Sequence, residues 1–239
     1  MDSARAPLSV VCWYWGARYS EAHVHRLAAA VHRHLHVPFR FYCIADRPLP
    51  GIEVIPMWDP YPRPDVNFRR LQMFSDEVAA LLGPRILQLD IDQVILDDLT
   101  PLITAEPVRI YRSPSIGRAG VAYNPSMLLF DAPCRQLQGL WSTFLRAPHR
   151  LVVQAQADGW RGTDQAVLSM WLHGQQGVAT YEPADGIYSM RDHFLGWVPA
   201  SRRAKFRAPP PGTRVVNFYG RMSVEDFTHI PWVAEAWRD

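Results

Sequence analysis

Apolar residues in the first part of the chain form short β-branched runs separated by one helical stripe. The run LSVVCW at 8–13 predicts a buried strand, PFRFYCI predicts a second, and IEVIPM at 52–57 predicts a third. Between the first two runs, apolar residues recur on one face of a helix, with Ser20 as a plausible N-cap and Pro38 as the stop. That stripe consists of Val24, Leu27, Ala28, Val31 and Leu35.

The pattern continues with a helix, a strand and a more mixed second half. FRRLQMFSDEVAALL at 68–82 predicts a helix after the proline-rich loop WDPYPRPD, and RILQLDIDQVIL predicts the strand that follows it. Strands alternating with helices indicate an α/β fold with a largely parallel sheet. The later predictions are a strand in GVAYNPSMLLF, helices at 133–146 and 164–172, a strand at 214–219 and a helix at 231–238. Because we see no repeat or flexible linker, we predict one domain over residues 1–239.

Composition excludes several classes of protein. The chain has 239 residues, 48% of them hydrophobic, and no apolar run approaches the roughly 18 residues of a membrane span. We therefore predict no integral membrane association, and the first residues contain no cleavage site typical of a secretory signal. The three cysteines, Cys12, Cys43 and Cys134, are too scattered for a disulfide framework or a zinc ribbon. Together these features predict a cytoplasmic protein.

Two acidic residues interrupt the apolar strand RILQLDIDQVIL. The spacing of Asp90 and Asp92 is uninformative by itself, because a chain with 16 aspartates contains about one Asp-x-Asp by chance. The apolar context is informative, because unpaired carboxylates are costly to bury. Residues i and i+2 of a strand point to one face, so both carboxylates could reach one hard cation at the carboxyl end of the strand. We therefore predict a metal site at this pair.

Several segments resemble, in order, motifs of one enzyme family. LQLDIDQVILDDLTPL resembles the metal-binding segment of GT-A glycosyltransferases, closest to the class of glycogenin and the lipopolysaccharide galactosyltransferases (family 8-like) and its bacterial and phage relatives. The other similar segments are VVCWYWGARYSEAHVHRL, PFRFYCIADRP, YNPSMLLFD, GTDQAVLSMWL and VVNFYGRMSVEDF. Each motif is weak alone, but their order over nearly the whole chain is specific.

The resemblance implies a GT-A fold, with a Rossmann-like nucleotide-binding half at about 8–105, a mixed sheet and an acceptor half at about 106–239. It implies transfer of a sugar, with retention, from a nucleotide-sugar donor (expected to be a UDP-sugar) to a hydroxyl acceptor, with Mn²⁺ or Mg²⁺ as cofactor. Asp90 and Asp92 would bind the metal, and Asp164 and Gln165 would carry the catalytic role. The implied donor-binding residues are Trp15, Gly16, Tyr19, Asp46, Arg70, Asn124 and Gly220.

The last motif departs from the family pattern. Asn217 stands where the family has a metal-binding histidine, and Ser223 stands where it has a lysine. An amide oxygen is still a hard ligand, so we predict that Asn217 completes an all-oxygen metal site with weak discrimination between manganese and magnesium. Arg221 is predicted to bind the donor in place of the lysine, since guanidinium groups suit phosphate.

Two alternatives to this function stay open at the level of sequence. The first is a phage-type glycosyltransferase that modifies hydroxylated bases in DNA. Its support is a basic cluster that could attract a polymer's phosphates, composed of Arg202, Arg203, Lys205 and Arg207. The net charge of +2 is too small to indicate nucleic acid by itself. The second alternative is a catalytically silent sugar-nucleotide-binding protein, suggested by Asn217 and the missing lysine.

Overall fold

The fold is seen in a computed structural model, which describes residues 7–57, 67–117, 120–195, 208–220 and 222–238. The predicted proline-rich loop and the basic cluster at 202–207 lie outside these residues. The first half contains β1 (Leu8–Tyr14), α1 (Glu21–His34), β2 (Phe39–Ala45), β3 (Glu53–Pro56), α2 (Asp76–Leu82), β4 (Arg85–Leu89) and β5 (Gln93–Ile95). The second half contains β6 (Val108–Gly117), β7 (Gly120–Asp131), α3 (Leu140–Arg146), α4 (Pro148–Ala157), α5 (Asp164–Leu172), β8 (Val178–Tyr181), β9 (Ile187–Ser189), β10 (Val215–Asn217) and α6 (Pro231–Ala236).

A seven-stranded sheet in the order β3-β2-β1-β4-β7-β6-β8 organises the molecule. Strands β1 to β4 run parallel, while β7 is antiparallel to both β4 and β6. The sheet is therefore mixed, as the resemblance implies, and less parallel than the strand–helix alternation suggests. Because β4 joins β7, strands from both halves of the chain form one sheet, and the structure is a single domain.

Both faces of the central strands are buried, which explains why β1 is apolar throughout. Along this strand Val10 and Cys12 pack on the face covered by α1, while Val11 and Trp13 pack on the face covered by α2, α3 and α5. A parallel strand with two covered faces needs a continuous apolar run rather than an alternating one. The apolar run of β1 is therefore typical of a strand inside the sheet, with a neighbouring strand on each side.

A second sheet of three short strands, in the order β5-β10-β9, lies beside the first. Its apolar side chains pack with the C-terminal segment, where Val94 and Val216 share a cluster with Val233 and Trp237. Strand β10 connects residues far apart in sequence, because it pairs antiparallel with β5 and parallel with β9. This arrangement carries the segment after β10 to the carboxyl ends of the main strands.

Two of the predicted elements are each divided in the structure. The predicted helix at 68–82 is a 3₁₀ helix at Asn67–Phe74 followed by α2, because the Ser75 hydroxyl accepts a 3.2 Å hydrogen bond from the Val78 amide and starts a new helix. The predicted strand RILQLDIDQVIL ends as β4 at Leu89, and after a turn β5 joins the other sheet. The division falls at the two acidic residues.

The second half differs more from the prediction. Helix α5 has the predicted bounds, but the predicted helix at 133–146 begins only at Leu140, and α4 was not predicted. Strand β6 was also missed, since its polar positions obscure the apolar run. Two of these polar residues form ion pairs with residues beyond β8. Arg109 pairs with Asp185 at 2.6 Å, and Arg112 pairs with Glu182 at 3.0 Å. None of the helices in the described ranges has the length and apolar character needed to cross a bilayer.

Candidate active site

A cavity of about 520 Å³ opens where β1 and β4 end, at the edge where ligands bind in open α/β sheets. Its volume lies in the range of small-molecule sites. The loop after β1, the turn after β4, the start of α5 and the segment after β10 form its walls. The lining residues are Trp13, Trp15, Arg18, Tyr19, Arg70, Asp90, Ile91, Asp92, Gly162, Thr163, Asp164, Gln165, Tyr219 and Gly220.

The predicted carboxylate pair lies in the turn that follows β4. The Asp90 amide donates to the carbonyl of Ser126 in β7 at 2.9 Å, and the Phe218 amide donates to the carbonyl of Asp92 at 3.0 Å. These two backbone bonds hold the turn between the central sheet and the segment after β10. Both side chains line the cavity, so the structure brings the two carboxylates to one site as the sequence predicted.

Arg70 lies in the 3₁₀ helix before α2, and its guanidinium connects two acidic residues at the floor of the cavity. One of its Nη atoms lies 2.8 Å from an Asp90 oxygen, and its Nε lies 3.3 Å from Oδ2 of Asp164. The same guanidinium donates to the Pro125 carbonyl at 3.2 Å. The Arg70 side chain is only 11% exposed, and although burial disfavours its charge, the carboxylates around it raise its pKa. Arg70 is therefore a fixed positive charge beneath the two aspartates.

Tyr19 approaches the carboxylate pair from the opposite side. Its phenol donates a 2.6 Å hydrogen bond to Oδ2 of Asp92. Burial, followed by the charge of Asp90, raises the pKa of Asp92 to about 7. Burial likewise raises the pKa of Asp90, which the charge of Arg70 opposes. Two carboxylates with raised pKa values in one cavity are typical of a site that receives a positive charge.

The donor set suits a hard cation that is shared with a ligand. Each carboxylate has one oxygen bound by a protein donor, Asp90 by Arg70 and Asp92 by Tyr19, so each has a second oxygen for a metal. Across the described ranges, no cluster of three or more His, Cys, Asp or Glu side chains is arranged around a metal position. Two carboxylates that leave the remaining positions to water and substrate phosphates are a common magnesium arrangement. The residues therefore fit a divalent cation that binds together with a phosphorylated ligand.

Asp164 and Gln165 begin α5 and form the wall opposite the aspartate pair. Oδ1 of Asp164 accepts a 2.9 Å hydrogen bond from the Thr163 hydroxyl, while its buried Oδ2 faces Arg70 without a hydrogen bond. Gly162 has a φ of +104°, and a Cβ there would lie 3.2 Å from the Gln165 side-chain oxygen. Glycine is thus needed for the close turn that aims both side chains at the cavity.

Aromatic rings form the outer wall. Trp13 and Trp15 lie edge to face with their centroids 6.2 Å apart, and the Trp13 indole donates to Gln88 at 3.3 Å. Tyr219 and Gly220 complete the rim from the segment after β10. Flat rings in the wall of a polar cavity offer a stacking surface for a base or a sugar.

Gly16 and Asp46 do not line the cavity, although both were predicted to bind the donor. Oδ2 of Asp46 accepts a 3.0 Å hydrogen bond from the Gly16 amide, and Arg47 binds the same carboxylate at 2.7 Å. Arg47 also donates to the Gly16 carbonyl at 2.8 Å. The Asp46 carboxylate is thus occupied in holding the loop after β1, and these residues shape the site without facing it.

Asn124 also lies behind the cavity wall rather than in it. Its side chain is buried, and Oδ1 accepts a 2.9 Å hydrogen bond from the Ser126 amide. This bond shapes the strand at Pro125, whose carbonyl receives Arg70 and Gln88. The structure therefore gives Asn124 a positioning role toward Arg70 in place of the predicted donor contact.

The predicted metal ligand Asn217 requires a correction. Its Oδ1 accepts a 2.5 Å hydrogen bond from Gln93, and its Nδ2 donates to the Tyr188 carbonyl at 3.0 Å. The side chain is 1% exposed and does not line the cavity. Both ends of the amide hold the three-stranded sheet together, so Asn217 is not available as a ligand in this arrangement. The predicted donor-binding residue Arg221 lies outside the described residues.

Sequence reasoning missed several residues of the cavity, among them two aromatic residues and one arginine. Trp13 was assigned only to a strand, and neither Arg18 nor Tyr219 was singled out, although all three line the site. Their positions beside predicted motifs were a usable signal, since Arg18 precedes Tyr19 and Tyr219 precedes Gly220. What sequence could not supply was the direction of each side chain.

Comparisons with known proteins support the fold. No protein-family model and no curated protein sequence matches the chain. Among solved structures, an active-site mutant of LgtC matches 93% of this chain and 94% of its own length, with 15% identity and a TM-score of 0.60. The galactosyltransferase LgtC in complex with donor and acceptor sugar analogues covers 97% of both chains, with 14% identity and a TM-score of 0.58.

A third similar structure is the glycosyltransferase GlyE of Streptococcus pneumoniae TIGR4. It matches 90% of this chain and 56% of its own length, with 15% identity and a TM-score of 0.60. The three structures share the arrangement of the mixed sheet and its flanking helices with this chain. The predicted GT-A fold is thereby confirmed.

Proposed function

We propose that this GT-A protein is a metal-dependent glycosyltransferase that moves a sugar from a nucleotide-sugar donor, expected to be a UDP-sugar, to a hydroxyl acceptor. The observation that carries the proposal is the meeting of Asp90, Asp92, Arg70 and Asp164 in one cavity at the carboxyl ends of the strands. The cavity is large enough for a nucleotide and a sugar, and its floor alternates negative and positive charge. The solved structures with the same fold are glycosyltransferases, which is consistent with this chemistry.

Transfer breaks the bond between the anomeric carbon and the diphosphate oxygen, whose electron pair stays with the nucleoside diphosphate. The acceptor hydroxyl forms the new carbon–oxygen bond and loses its proton to solvent. When bound by Asp90 and Asp92, a divalent cation such as Mn²⁺ or Mg²⁺ supplies charge neutralisation for the diphosphate. Arg70 pairs with both Asp90 and Asp164 and offsets the repulsion between the two carboxylates, while Asp164, which lines the cavity, would position the sugar or the acceptor. Retention of anomeric configuration is the expected outcome.

Nucleotide binding with and without metal tests the proposal. We expect UDP or a UDP-sugar to raise the melting temperature only when Mn²⁺ or Mg²⁺ is present, because a ligand that binds the native state alone stabilises it. Asp90→Asn and Asp92→Asn should each abolish that metal-dependent shift. Asp158→Asn, which changes an exposed aspartate after α4, is the matched control and should leave it intact. Full donor turnover by either cavity variant would refute the metal assignment.

Asp164 provides a second test within the site. Asp164→Asn keeps the shape of the side chain and should leave nucleotide affinity near wild type while lowering transfer about 100-fold. The measurements are a UDP titration and the initial rate of sugar transfer. Equal losses in affinity and rate would place Asp164 at the diphosphate or in the fold.

Two measurements address the alternatives. Slow release of the nucleoside diphosphate from the donor without acceptor is expected of an active enzyme and not of a silent binding protein. A salt-dependent affinity for DNA would support a DNA-base acceptor, because phosphate contacts release counterions. The structure lends that alternative no support, since the basic cluster that suggested it lies outside the described residues.

A further inference from the structure

Arg18 lies on the outer wall of the cavity, in the loop between β1 and α1. Its guanidinium stacks over the ring of Tyr19, 4.9 Å from the centroid, and donates a hydrogen bond to the carbonyl of Gly220. Tyr19 in turn binds Asp92. The stacking of Arg18 on Tyr19 therefore places the Arg18 guanidinium near the carboxylate pair. Arg18 therefore bridges the mouth of the cavity, from the loop after β1 to the segment after β10.

The two cavity arginines differ in how their charge is used. Arg70 is buried and already paired with Asp90 and Asp164. Arg18 is exposed, and within the described ranges no carboxylate lies at ion-pairing distance from it. Its bond to a neutral backbone carbonyl is weaker than a bond to an anionic oxygen. Of the arginines that the structure describes in the cavity wall, Arg70 thus has a fixed partner for its charge, whereas Arg18 can exchange its partner for an entering anion.

We propose that Arg18 binds the diphosphate of the donor, exchanging the Gly220 carbonyl for phosphate oxygens. The inference rests on the proposed function and adds the residue that receives the leaving group. A planar guanidinium can donate two parallel hydrogen bonds to a phosphate, which fits a group at the mouth of the site. Binding of the diphosphate would thereby also release the segment after β10 from Arg18.

The experiment compares ligands with and without the diphosphate in Arg18→Gln. In the presence of Mn²⁺, we expect the variant to bind UDP about 10- to 100-fold more weakly than the wild type, and uridine with unchanged affinity. Arg18→Lys, which retains the charge, should recover part of the loss. The control is Arg40→Gln. Arg40 lies at the start of β2, at the end of the strands opposite the cavity, and pairs there with exposed Glu53 of β3.

Unchanged UDP affinity, or an equal loss for UDP and uridine, would overturn the assignment of Arg18. Because this side chain is exposed, Arg18→Gln should melt within about 2 °C of the wild type. A larger drop would mark the bond to Gly220 as a structural one and would also overturn the assignment. The proposed function fails in a different way, since a wild type that binds none of UDP, GDP, CDP, ADP and dTDP with Mn²⁺ would refute the donor site itself.

Discussion

The Tyr19 phenol donates to Oδ2 of Asp92 at 2.6 Å, and both groups line the same cavity. The resemblance implies that Tyr19 binds the donor, and in the structure its phenol also binds a proposed metal ligand. A hydrogen bond to one carboxylate oxygen orients the other oxygen. The side chain that precedes α1 therefore fixes the direction in which Asp92 faces the cavity.

Tyr19→Phe removes this hydrogen bond without removing the ring. We expect Mn²⁺ affinity in the presence of UDP to fall about 10- to 100-fold, because outer partners of metal ligands commonly have effects of that size. Electron paramagnetic resonance of bound Mn²⁺ measures the change independently of activity. The control is Tyr42→Phe, a tyrosine of β2 that does not line the cavity. An unchanged Mn²⁺ titration in Tyr19→Phe would remove the positioning role.

Arg70 is expected to matter for stability as well as for binding. Arg70→Gln leaves Asp90 and the buried Asp164 without their shared positive charge, so the free energy of unfolding should fall by roughly 3 kcal/mol. Adding Asp164→Asn should restore part of that loss, since it removes one of the unpaired charges. Urea denaturation of both variants measures this coupling. The exposed pair of Arg112 and Glu182 supplies a control, where Arg112→Gln should cost less than about 1 kcal/mol.

The raised pKa of Asp92 predicts how the metal-free protein responds to pH. Between the ordinary value of an aspartate and about 7, the folded protein keeps a proton on this group that the unfolded chain has lost. Its contribution to stability therefore decreases as the pH rises through that interval, by at most about 1.4 kcal/mol per pH unit. Asp92→Asn should flatten the slope of unfolding free energy against pH. An identical slope in the variant would show that Asp92 does not titrate in this range.

Metal binding should depend on pH in the opposite direction. A protonated carboxyl is a poor ligand, so the affinity for Mn²⁺ in the presence of UDP should increase as the pH rises through about 7. Isothermal titration in buffers of different ionisation heat would also detect the proton released on binding. Affinity that does not change between pH 6 and 8, two settings about one unit either side of that value, would contradict the assignment.

Asn217 is expected to influence stability and not the choice of metal. Asn217→Ala leaves Gln93 and the Tyr188 carbonyl without their buried partner, so the free energy of unfolding should fall by about 1–3 kcal/mol. Asn217→His should leave the preference between Mn²⁺ and Mg²⁺ unchanged, in contrast to the all-oxygen site predicted from the sequence. A selective gain in Mn²⁺ affinity in Asn217→His would restore Asn217 to the metal site.

The sequence predicted those elements whose causes are local. The apolar run of β1, the stripe of α1 and the bounds of α5 depend on periodicity and on flanking residues, and each appears in the structure. The Asp90 and Asp92 pair was also placed correctly at the end of a strand, because unpaired carboxylates are costly to bury within an apolar strand. The division of the helix at 68–82 was missed, since a serine inside a periodic pattern gives little warning of a new cap.

Long-range contacts decided the rest. Whether Asn217 binds a metal or Gln93, and whether Asp46 faces a ligand or Arg47, depends on which partner the folded chain brings within hydrogen-bonding distance. Arg18 and Gly220 meet across 202 residues of sequence, and no local pattern records that approach. Sequence by itself determined strand β1, helices α1 and α5, and the carboxylate pair at a strand end. Only the tertiary structure decided which polar groups bind each other within the protein and which remain available to a ligand. The reason is that hydrogen-bond partners are set by packing between distant segments.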